Sequence, residues 1–315
     1  MDCHVWLKLG KDLPQGEAKS LQKQFPGVKF SMDLASEDYP TIDVCFTNSR
    51  LADETAIELS SLKWIHTTYG GGLSFLTPSI VKRDIIVTSS RGVQAEPLSE
   101  FTEACVLGFA KKFSTLWRLK QERKWDETVA PDTLTGQTVG LLGLGAVGSA
   151  VAQRLHKHGM KIHAIRRNLH QVPDYVEQVH GMDRLPDILR QSDFLIINLP
   201  GSKEMRNLIG EQQLRSMRPT SYLINLVTRE IVGDEALTKA LHNGWIGGAA
   251  CNVFGANPLP AESPLWDAPN LIISPNVAQT DPKRWQKLRK VFTDNLASYL
   301  PGRPMANVVN AEGSY

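Results

Sequence analysis

Residues 138–148, TVGLLGLGAVG, carry the strongest structural signal in the sequence. The first five of them are largely apolar and predict a β-strand, and the last six have the spacing G-x-G-x-x-G. We expect a helix over Val147–His158, ended by Gly159, and a second apolar strand over Lys161–Ile165. Glycine pairs recur in loops by chance, but a G-x-G-x-x-G turn between the strand and the helix of a βαβ unit is typical of dinucleotide binding.

Each glycine of this turn has a separate physical role. Gly143 permits the tight turn, Gly145 lets a pyrophosphate approach the backbone, and Gly148 lets the helix pack closely on the strand. Ala146 and Val147 open the helix, whose first N–H groups are free to bind an anion. The alternative is a glycine-rich turn without a ligand, and the surrounding strand and helix patterns favour the dinucleotide site.

The end of the second strand selects between the two nicotinamide dinucleotides. An acidic residue at this point accepts hydrogen bonds from the ribose hydroxyls of NAD(H). The sequence instead places Arg166 and Arg167 directly after Ile165. Guanidinium groups form charge-assisted hydrogen bonds with a 2′-phosphate, so the sequence favours NADP(H) over NAD(H). The alternative interpretation is a pair of solvated surface arginines.

Short apolar runs alternate with helical patterns through the rest of the chain. Such alternation predicts an α/β protein with doubly wound parallel sheets. A long helix is expected over residues 98–120, and shorter helices over Glu211–Ser216 and Asp234–His242. The other expected strands are 4–9, 42–46, 62–66, 85–88, 194–199, 222–226, 246–253 and 271–274.

Composition excludes several classes of protein. The 315 residues correspond to about two domains, and 35 basic against 33 acidic residues leave no basic excess for binding nucleic acid. The longest uncharged run that looks membrane-like, 139–152, contains four glycines and is too short to span a membrane. The sequence contains no C-x-x-C motif, so a metal site is not expected. An export signal is not visible either, and we expect a cytoplasmic protein whose four cysteines are reduced: Cys3, Cys45, Cys105 and Cys251.

Several further motifs follow the glycine-rich turn in a fixed order. They are SDFLIINLP (192–200), SYLINLVTREIVGDEALTKAL (221–241), GGAACNVFGANPLPAESPLW (247–266) and NLIISPNVA (270–278). Together they resemble the D-2-hydroxyacid dehydrogenase family, and within it the glyoxylate/hydroxypyruvate reductase branch. The resemblance covers residues 60–300. Linked motifs in the same order are far more specific than any one of them.

The resemblance implies a fold and an assembly. A flavodoxin-like substrate domain would comprise residues 1–98 and 284–315. A Rossmann NAD(P)-binding domain, residues 99–283, would be inserted in it. Related enzymes pair through the helix that follows the first domain, here 98–120, so a homodimer is expected by analogy.

The resemblance also implies which residues bind ligands. Arg229 matches the arginine that binds the substrate carboxylate and polarises the C2 carbonyl, with an ordinary loop arginine as the alternative. A second loop is expected to hold the substrate carboxylate through its N–H groups, and it consists of Tyr69, Gly70, Gly71 and Gly72. The alternative interpretation of this loop is a plain flexible turn. The implied cofactor contacts beyond the turn are Leu199, Pro200, Val227, Thr228 and Asn252.

Three positions depart from the family pattern, and all three carry asparagine. Asn276 stands where the family has its proton-donating histidine, Asn257 where it has the partner glutamate, and Asn252 where it has an aspartate. An amide donates a hydrogen bond to a carbonyl but supplies no proton near neutral pH. The expected function is reduction of a small 2-oxo acid by NAD(P)H with impaired or altered activity. The alternative is a catalytically silent dinucleotide-binding sensor or interaction protein.

Other residues near the implied site are weaker candidates for the missing acid. His66 and Tyr69 lie near the substrate loop, and Lys283 and Arg284 follow Asn276. Structural or solvated roles are the simpler interpretation of all four, because sequence alone places none of them within reach of a carbonyl oxygen.

Overall fold

The computed structural model describes residues 3–167, 169, 172–201 and 203–310, and these form two compact units. The first unit contains the chain up to Gln94 and again from Asp281, and the second is Ala95–Thr280. The boundaries predicted from the sequence lie a few residues later, after residues 98 and 283.

The first unit contains one parallel sheet of five strands. Its spatial order, β2-β1-β3-β4-β5, is that of flavodoxin-like folds. Residues of β3 and β4 are buried on both faces of the sheet, which is why these strands consist of apolar, aromatic and hydrogen-bonded polar side chains. The strands are β1 (Cys3–Lys8), β2 (Val28–Ser31), β3 (Val44–Thr47), β4 (Trp64–Thr67) and β5 (Ile86–Ser89).

The second unit contains one parallel sheet of seven strands. The order is β12-β11-β10-β9-β6-β7-β8, so the chain winds to one side of β6 and then returns to the other side at β9. This is the doubly wound Rossmann order, and together with the first sheet it confirms the predicted fold class. The strands are β6 (Thr138–Leu142), β7 (Lys161–Ile165), β8 (Gln178–His180), β9 (Phe194–Ile197), β10 (Tyr222–Asn225), β11 (Gly248–Cys251) and β12 (Leu271–Ile273).

Helices cover the faces of both sheets. In chain order they are α1 (Glu17–Gln24), α2 (Asp53–Glu58), α3 (Pro78–Lys82), α4 (Ala95–Ala110), α5 (Phe113–Gln121), α6 (Ala146–Lys157), α7 (Leu185–Gln191), α8 (Glu211–Ser216), α9 (Asp234–His242) and α10 (Arg284–Tyr299). The last helix returns to the first unit, where the ring of Phe292 stacks on Phe46 and Trp64 with centroids 4.4 and 5.6 Å apart.

The expectation of one long helix over residues 98–120 is wrong. Two helices, α4 and α5, occupy this segment, and they are separated at Lys112, whose φ is +57°. The Lys112 ammonium donates to the Tyr222 hydroxyl at 3.0 Å and pairs with Asp132 at 3.3 Å. These contacts with distant parts of the unit outweigh the local preference for a continuous helix.

Three further features concern the thiols, the length and polarity of the helices, and the clustering of metal-ligating side chains. Cys3, Cys45, Cys105 and Cys251 are buried and free, and burial raises the pKa of both Cys45 and Cys105 to about 12. None of the helices in the described residues has the length and apolar character needed to cross a membrane. Over those same residues, His, Cys, Asp and Glu side chains do not gather in threes as a metal ion requires.

Candidate active site

The glycine-rich turn lies at the carboxyl end of β6, where the winding direction of the second sheet reverses. Gly143 has a φ of +98°, and a Cβ there would lie 2.7 Å from the carbonyl oxygen of Asn198, at the end of β9. A Cβ on Gly148 would overlap the carbonyl oxygen of Gly143. Both positions therefore require glycine for the turn and the helix to pack, independently of any ligand.

Gly145 differs from these two glycines because no atom of the described residues lies in front of it. A Cβ at Gly145 would meet no atom within 4 Å, and the residue is the N-cap of α6 with no side-chain cap. The N–H groups of Ala146, Val147 and Gly148 have no partner within the helix, since the first intrahelical bond is from Ser149 to Gly145 at 2.8 Å. An open space lined by free N–H groups at a helix N-terminus fits a pyrophosphate.

Two arginines follow β7 at the same edge of the sheet. The Arg166 N–H donates to the His180 carbonyl at 3.0 Å, which fixes its backbone against β8, and Arg167 is exposed. Neither guanidinium has an ion-pair partner among the described residues; Asn168, which follows them, lies outside these residues. Two cations that have no carboxylate partner among the described residues suit a phosphate ester better than a ribose hydroxyl.

The loop after β10 presents Arg229 and is held by its own side chains. The buried Asn225 amide donates to the Thr228 carbonyl at 2.9 Å and accepts from the Thr228 N–H at 3.3 Å. The Thr228 hydroxyl donates to the Leu199 carbonyl, which ties this loop to the one after β9. Leu199 and Thr228 thus come together as interior supports, whereas Pro200, Val227 and Arg229 are exposed beside them.

Asn257 contacts Arg229. A guanidinium group can only donate hydrogen bonds, so Asn257 must face it with the amide oxygen. In this orientation Asn257 accepts from the two terminal nitrogens of Arg229 at 2.5 and 3.2 Å. The preceding loop is held by Asp234, which accepts from the Gly255 N–H at 3.0 Å and whose pKa is raised by burial. A neutral partner orients Arg229 while leaving its full positive charge for a substrate carboxylate.

Asn276 follows β12 with a left-handed backbone, φ +57°, a conformation that asparagine and histidine adopt more readily than most residues. Its N–H donates to the carbonyls of Ser274 at 2.8 Å and Asn252 at 3.1 Å. Gln279 donates through Nε2 to the Asn276 carbonyl at 2.7 Å and to Oδ1 at 3.1 Å. The Asn276 Nδ2 has no partner among the described residues and remains free to donate.

Asn252, at the end of β11, is 2% exposed and uses its whole amide internally. Nδ2 donates to the Leu226 carbonyl and to Gln279 Oε1, each at 3.0 Å. Oδ1 accepts from the Ser274 hydroxyl at 2.9 Å and the Ala278 N–H at 3.0 Å. These four bonds exhaust the amide, so the predicted contact of Asn252 with a cofactor could only be van der Waals.

The Tyr69–Gly72 loop follows β4 in the first unit. Tyr69 is anchored at its backbone, donating to the Thr67 hydroxyl at 3.2 Å and accepting from the Ser90 N–H at 2.9 Å. A Cβ would meet nothing at Gly70 or Gly71, whereas at Gly72 it would overlap Val309. The first two glycines therefore leave room for a ligand, and Gly72 is required for packing.

His66 is a structural residue. Its ring is fully buried in β4 and is bonded to the hydroxyls of Thr88 at 2.7 Å and Ser90 at 3.2 Å. Burial lowers the pKa of His66 to about 3, so the ring is neutral at pH 7 and does not replace the missing acid.

Gln279 and Asn225 were not among the site residues predicted from the sequence. Both act only through other residues, Gln279 on Asn276 and Asn225 on the Arg229 loop. The available signal was their position: Gln279 lies three residues after Asn276, and Asn225 ends a strand four residues before Arg229.

Comparisons with known proteins give consistent matches. The model of the D-isomer specific 2-hydroxyacid dehydrogenase NAD-binding domain matches residues 104–278. A glyoxylate reductase of Thermofilum pendens is 34% identical over 277 residues, covering 85% of this chain and 81% of the relative. A glyoxylate/hydroxypyruvate reductase B of Pectobacterium carotovorum is 31% identical over 244 residues, 76% of each chain.

Solved structures resemble the whole chain. A D-isomer specific 2-hydroxyacid dehydrogenase from Xanthobacter autotrophicus Py2, crystallised with NADPH and MES, superposes with a TM-score of 0.87 at 26% identity. The superposition covers 100% of both chains.

Proposed function

The chain belongs to the D-isomer specific 2-hydroxyacid dehydrogenase family, and on that premise we propose that it reduces a small 2-oxo acid with NADPH. The family match confirms both the resemblance drawn from the sequence motifs and the enzyme class, a nicotinamide-dependent oxidoreductase. The observation that carries the proposal is the exposed Arg229, a cation oriented by a neutral partner at the same sheet edge as the open turn at Gly145.

Within this proposal each part of the site has a role. A bound nicotinamide dinucleotide supplies the hydride that reduces C2 of the substrate. The N–H groups at the start of α6 hold its pyrophosphate, and Leu199, Pro200, Val227 and Thr228 form the adjoining loops. Arg229 binds the substrate carboxylate, and a carboxylate-binding role for the N–H groups of the Tyr69–Gly72 loop stays a prediction from the family resemblance. Asn276 donates from Nδ2 to the C2 carbonyl oxygen.

The proton for the new hydroxyl comes from water. Asn276 stabilises the developing oxyanion with a hydrogen bond but gives up no proton. General acid catalysis is typically worth about 10²–10⁴-fold, so turnover is slower by up to that factor than with an ionisable donor. The silent-sensor alternative rests on the same three amides at positions 252, 257 and 276, and a turnover assay separates the two.

Steady-state NADPH oxidation tests the proposal with glyoxylate, hydroxypyruvate and larger 2-oxo acids. We expect measurable turnover with at least one of them, and a fall of about 100-fold in kcat/KM for Arg229→Leu, because charge-assisted hydrogen bonds to the carboxylate are lost. Arg190→Leu removes an exposed arginine from α7 and serves as the control. Absence of turnover across the panel, in folded protein that binds NADPH, would establish the silent alternative.

The preference for NADP(H) rests on Arg166 and Arg167, and the Xanthobacter relative was crystallised with NADPH. Arg166→Asp removes a phosphate ligand and introduces an acceptor for ribose hydroxyls. We expect NADPH affinity to fall at least 10-fold more than NADH affinity, measured by titration calorimetry. Equal losses for the two nucleotides would contradict the assignment.

A second copy of this chain is the proposed partner. The exposed side chains of α5 include Phe113, Leu116 and Trp117, and Trp125 beyond the helix is also exposed. Contiguous exposed apolar side chains on a helix are typical of a protein interface. Light scattering is expected to give the mass of a dimer, and a monomer mass would contradict it.

The four free thiols support the cytoplasm as the compartment.

A further inference from the structure

Three side-chain amides form a hydrogen-bonded series that ends at the proposed reacting position. Asn252 donates to Gln279 at 3.0 Å, and Gln279 donates to Asn276 Oδ1 at 3.1 Å. All three residues belong to the second unit, on the loops that follow β11 and β12. An amide has a donor end and an acceptor end, so each member of the series sets the orientation of the next.

Two backbone groups fix the direction of the series. The Ala278 N–H can only donate, so it holds Asn252 Oδ1, and the Leu226 carbonyl can only accept, so it holds Asn252 Nδ2. Gln279 must therefore face Asn252 with Oε1 and face Asn276 with Nε2. A second bond from Nε2 to the Asn276 carbonyl at 2.7 Å holds Gln279 in place.

We propose that Gln279 is a positioning residue that holds the Asn276 amide with its NH₂ group towards the substrate. The inference rests on the proposed function and specifies its chemistry. With Oδ1 occupied by Gln279, Asn276 offers the substrate a donor, which suits the oxygen of a 2-oxo acid. The same orientation disfavours a protonated imine at C2, because that group is itself a donor. The site is thus built for carbonyl substrates by a residue that does not touch them.

The test is Gln279→Glu, which keeps the shape and reverses the polarity of one end. An ionised carboxylate accepts from Asn252 and also from Asn276, so the Asn276 amide turns and presents Oδ1 to the substrate oxygen. We expect kcat for the best 2-oxo acid to fall at least 10-fold at pH 8, with KM and NADPH affinity changed less than 3-fold, because the lost bond strengthens in the transition state.

The pH profile separates positioning from a merely structural role. When the introduced carboxyl group of Gln279→Glu is protonated, its carbonyl oxygen accepts from Asn252 and its hydroxyl donates to Asn276, which restores the wild-type orientation. Activity of the variant relative to wild type is therefore expected to recover as pH falls towards the pKa of a glutamate, about 4.3 in model peptides. Gln279→Met cannot donate at any pH and should show a constant deficit.

Gln212→Glu, an exposed change of the same charge on α8, controls for electrostatics and should match wild type throughout. The proposal is overturned if Gln279→Glu keeps wild-type kcat at pH 8. It is also overturned if Gln279→Glu and Gln279→Met lose activity equally at every pH.

If the wild-type protein turns over no 2-oxo acid, the proposed function fails, and side-chain amide NMR still decides the positioning. Slow hydrogen exchange is expected for the Gln279 NH₂ group and fast exchange for that of Asn276. In Gln279→Glu at pH 8 the Asn276 NH₂ group should become protected. Unchanged exchange at Asn276 would refute the orientation whatever the enzyme's activity.

Discussion

Asn276 occupies a backbone position that a histidine can also adopt, because its φ of +57° lies in the left-handed region. We expect Asn276→His combined with Asn257→Glu to raise kcat with glyoxylate or hydroxypyruvate at least 10-fold, because general acid catalysis is typically worth about 10²–10⁴-fold when the acid is fully in place. The acid works only while protonated, so the gain should disappear as pH rises above the pKa of the imidazole. Steady-state pH profiles of the wild type and the double variant check this.

The single variants serve as controls for that pair. Asn257→Glu alone places a carboxylate against Arg229, where it competes with the substrate carboxylate, and it should raise KM without raising kcat. A folded double variant with no gain at any pH would show that position 276 is not where the reacting oxygen lies.

Among the elements, the β6–α6 turn offers a matched pair of glycine substitutions. The methyl group of Gly145→Ala meets no atom within 4 Å, so the Tm should stay within about 2 °C of wild type. The same methyl group occupies the space of the pyrophosphate, so NADPH affinity should fall at least 10-fold. Gly148→Ala overlaps the Gly143 carbonyl and should lower the Tm itself, since helix and strand must separate.

Thermal unfolding and NADPH titration of the two variants check this pair. Wild-type NADPH affinity in Gly145→Ala would show that the dinucleotide does not approach the turn. A normal Tm in Gly148→Ala would contradict the tight packing of α6 on β6.

The same element shows what sequence can predict. Strands β6 and β7 were predicted at their observed bounds. The prediction succeeded because apolar runs and glycine spacing, which are local patterns, determine a βαβ unit. β8 was missed because its three residues at the sheet edge carry no pattern. The break between α4 and α5 depends on Lys112 reaching Tyr222, which lies 110 residues away.

For the candidate site, the sequence predicted where the residues lie along the chain, and the roles assigned to them stay predictions. The order of the motifs along the chain pointed to Arg229 and the three asparagines. These residues lie on the loops that follow β10, β11 and β12, and the ends of these parallel strands meet at one edge of the sheet. The contact of Asn257 with Arg229 and the role of Gln279 depend on side-chain orientations that no local pattern records.

For the molecule as a whole, His66 makes the stability of the first unit depend on pH. Burial lowers the pKa of His66 to about 3, whereas the unfolded chain binds the proton below about 6.5. Between pH 6.5 and 3 the unfolded state therefore binds a proton that the folded state does not bind. The contribution of His66 to the free energy of unfolding is complete above pH 6.5 and decreases as the pH falls towards 3.

Urea unfolding of wild type and His66→Gln at pH 7.5 and pH 5 measures this effect. Because pH 5 lies about 1.5 pH units below the unfolded pKa, the wild type should lose about 2 kcal/mol more unfolding free energy than the variant. His4 and His163, whose pKa values are also lowered by burial, contribute equally to both proteins and cancel. An identical loss in both proteins would mean that His66 is protonated in the folded state.

Transfer of isotope from cofactor to product provides the decisive experiment. The protein is incubated with NADPH in which both hydrogens at C4 of the nicotinamide are deuterium, together with each 2-oxo acid in turn, and the products are analysed by mass spectrometry. We expect a 2-hydroxy acid with one deuterium at C2, formed by wild type and far more slowly by Arg229→Leu. Oxidation of NADPH without deuterium in the hydroxy acid, or no hydroxy acid from any substrate, would contradict direct hydride transfer at this site.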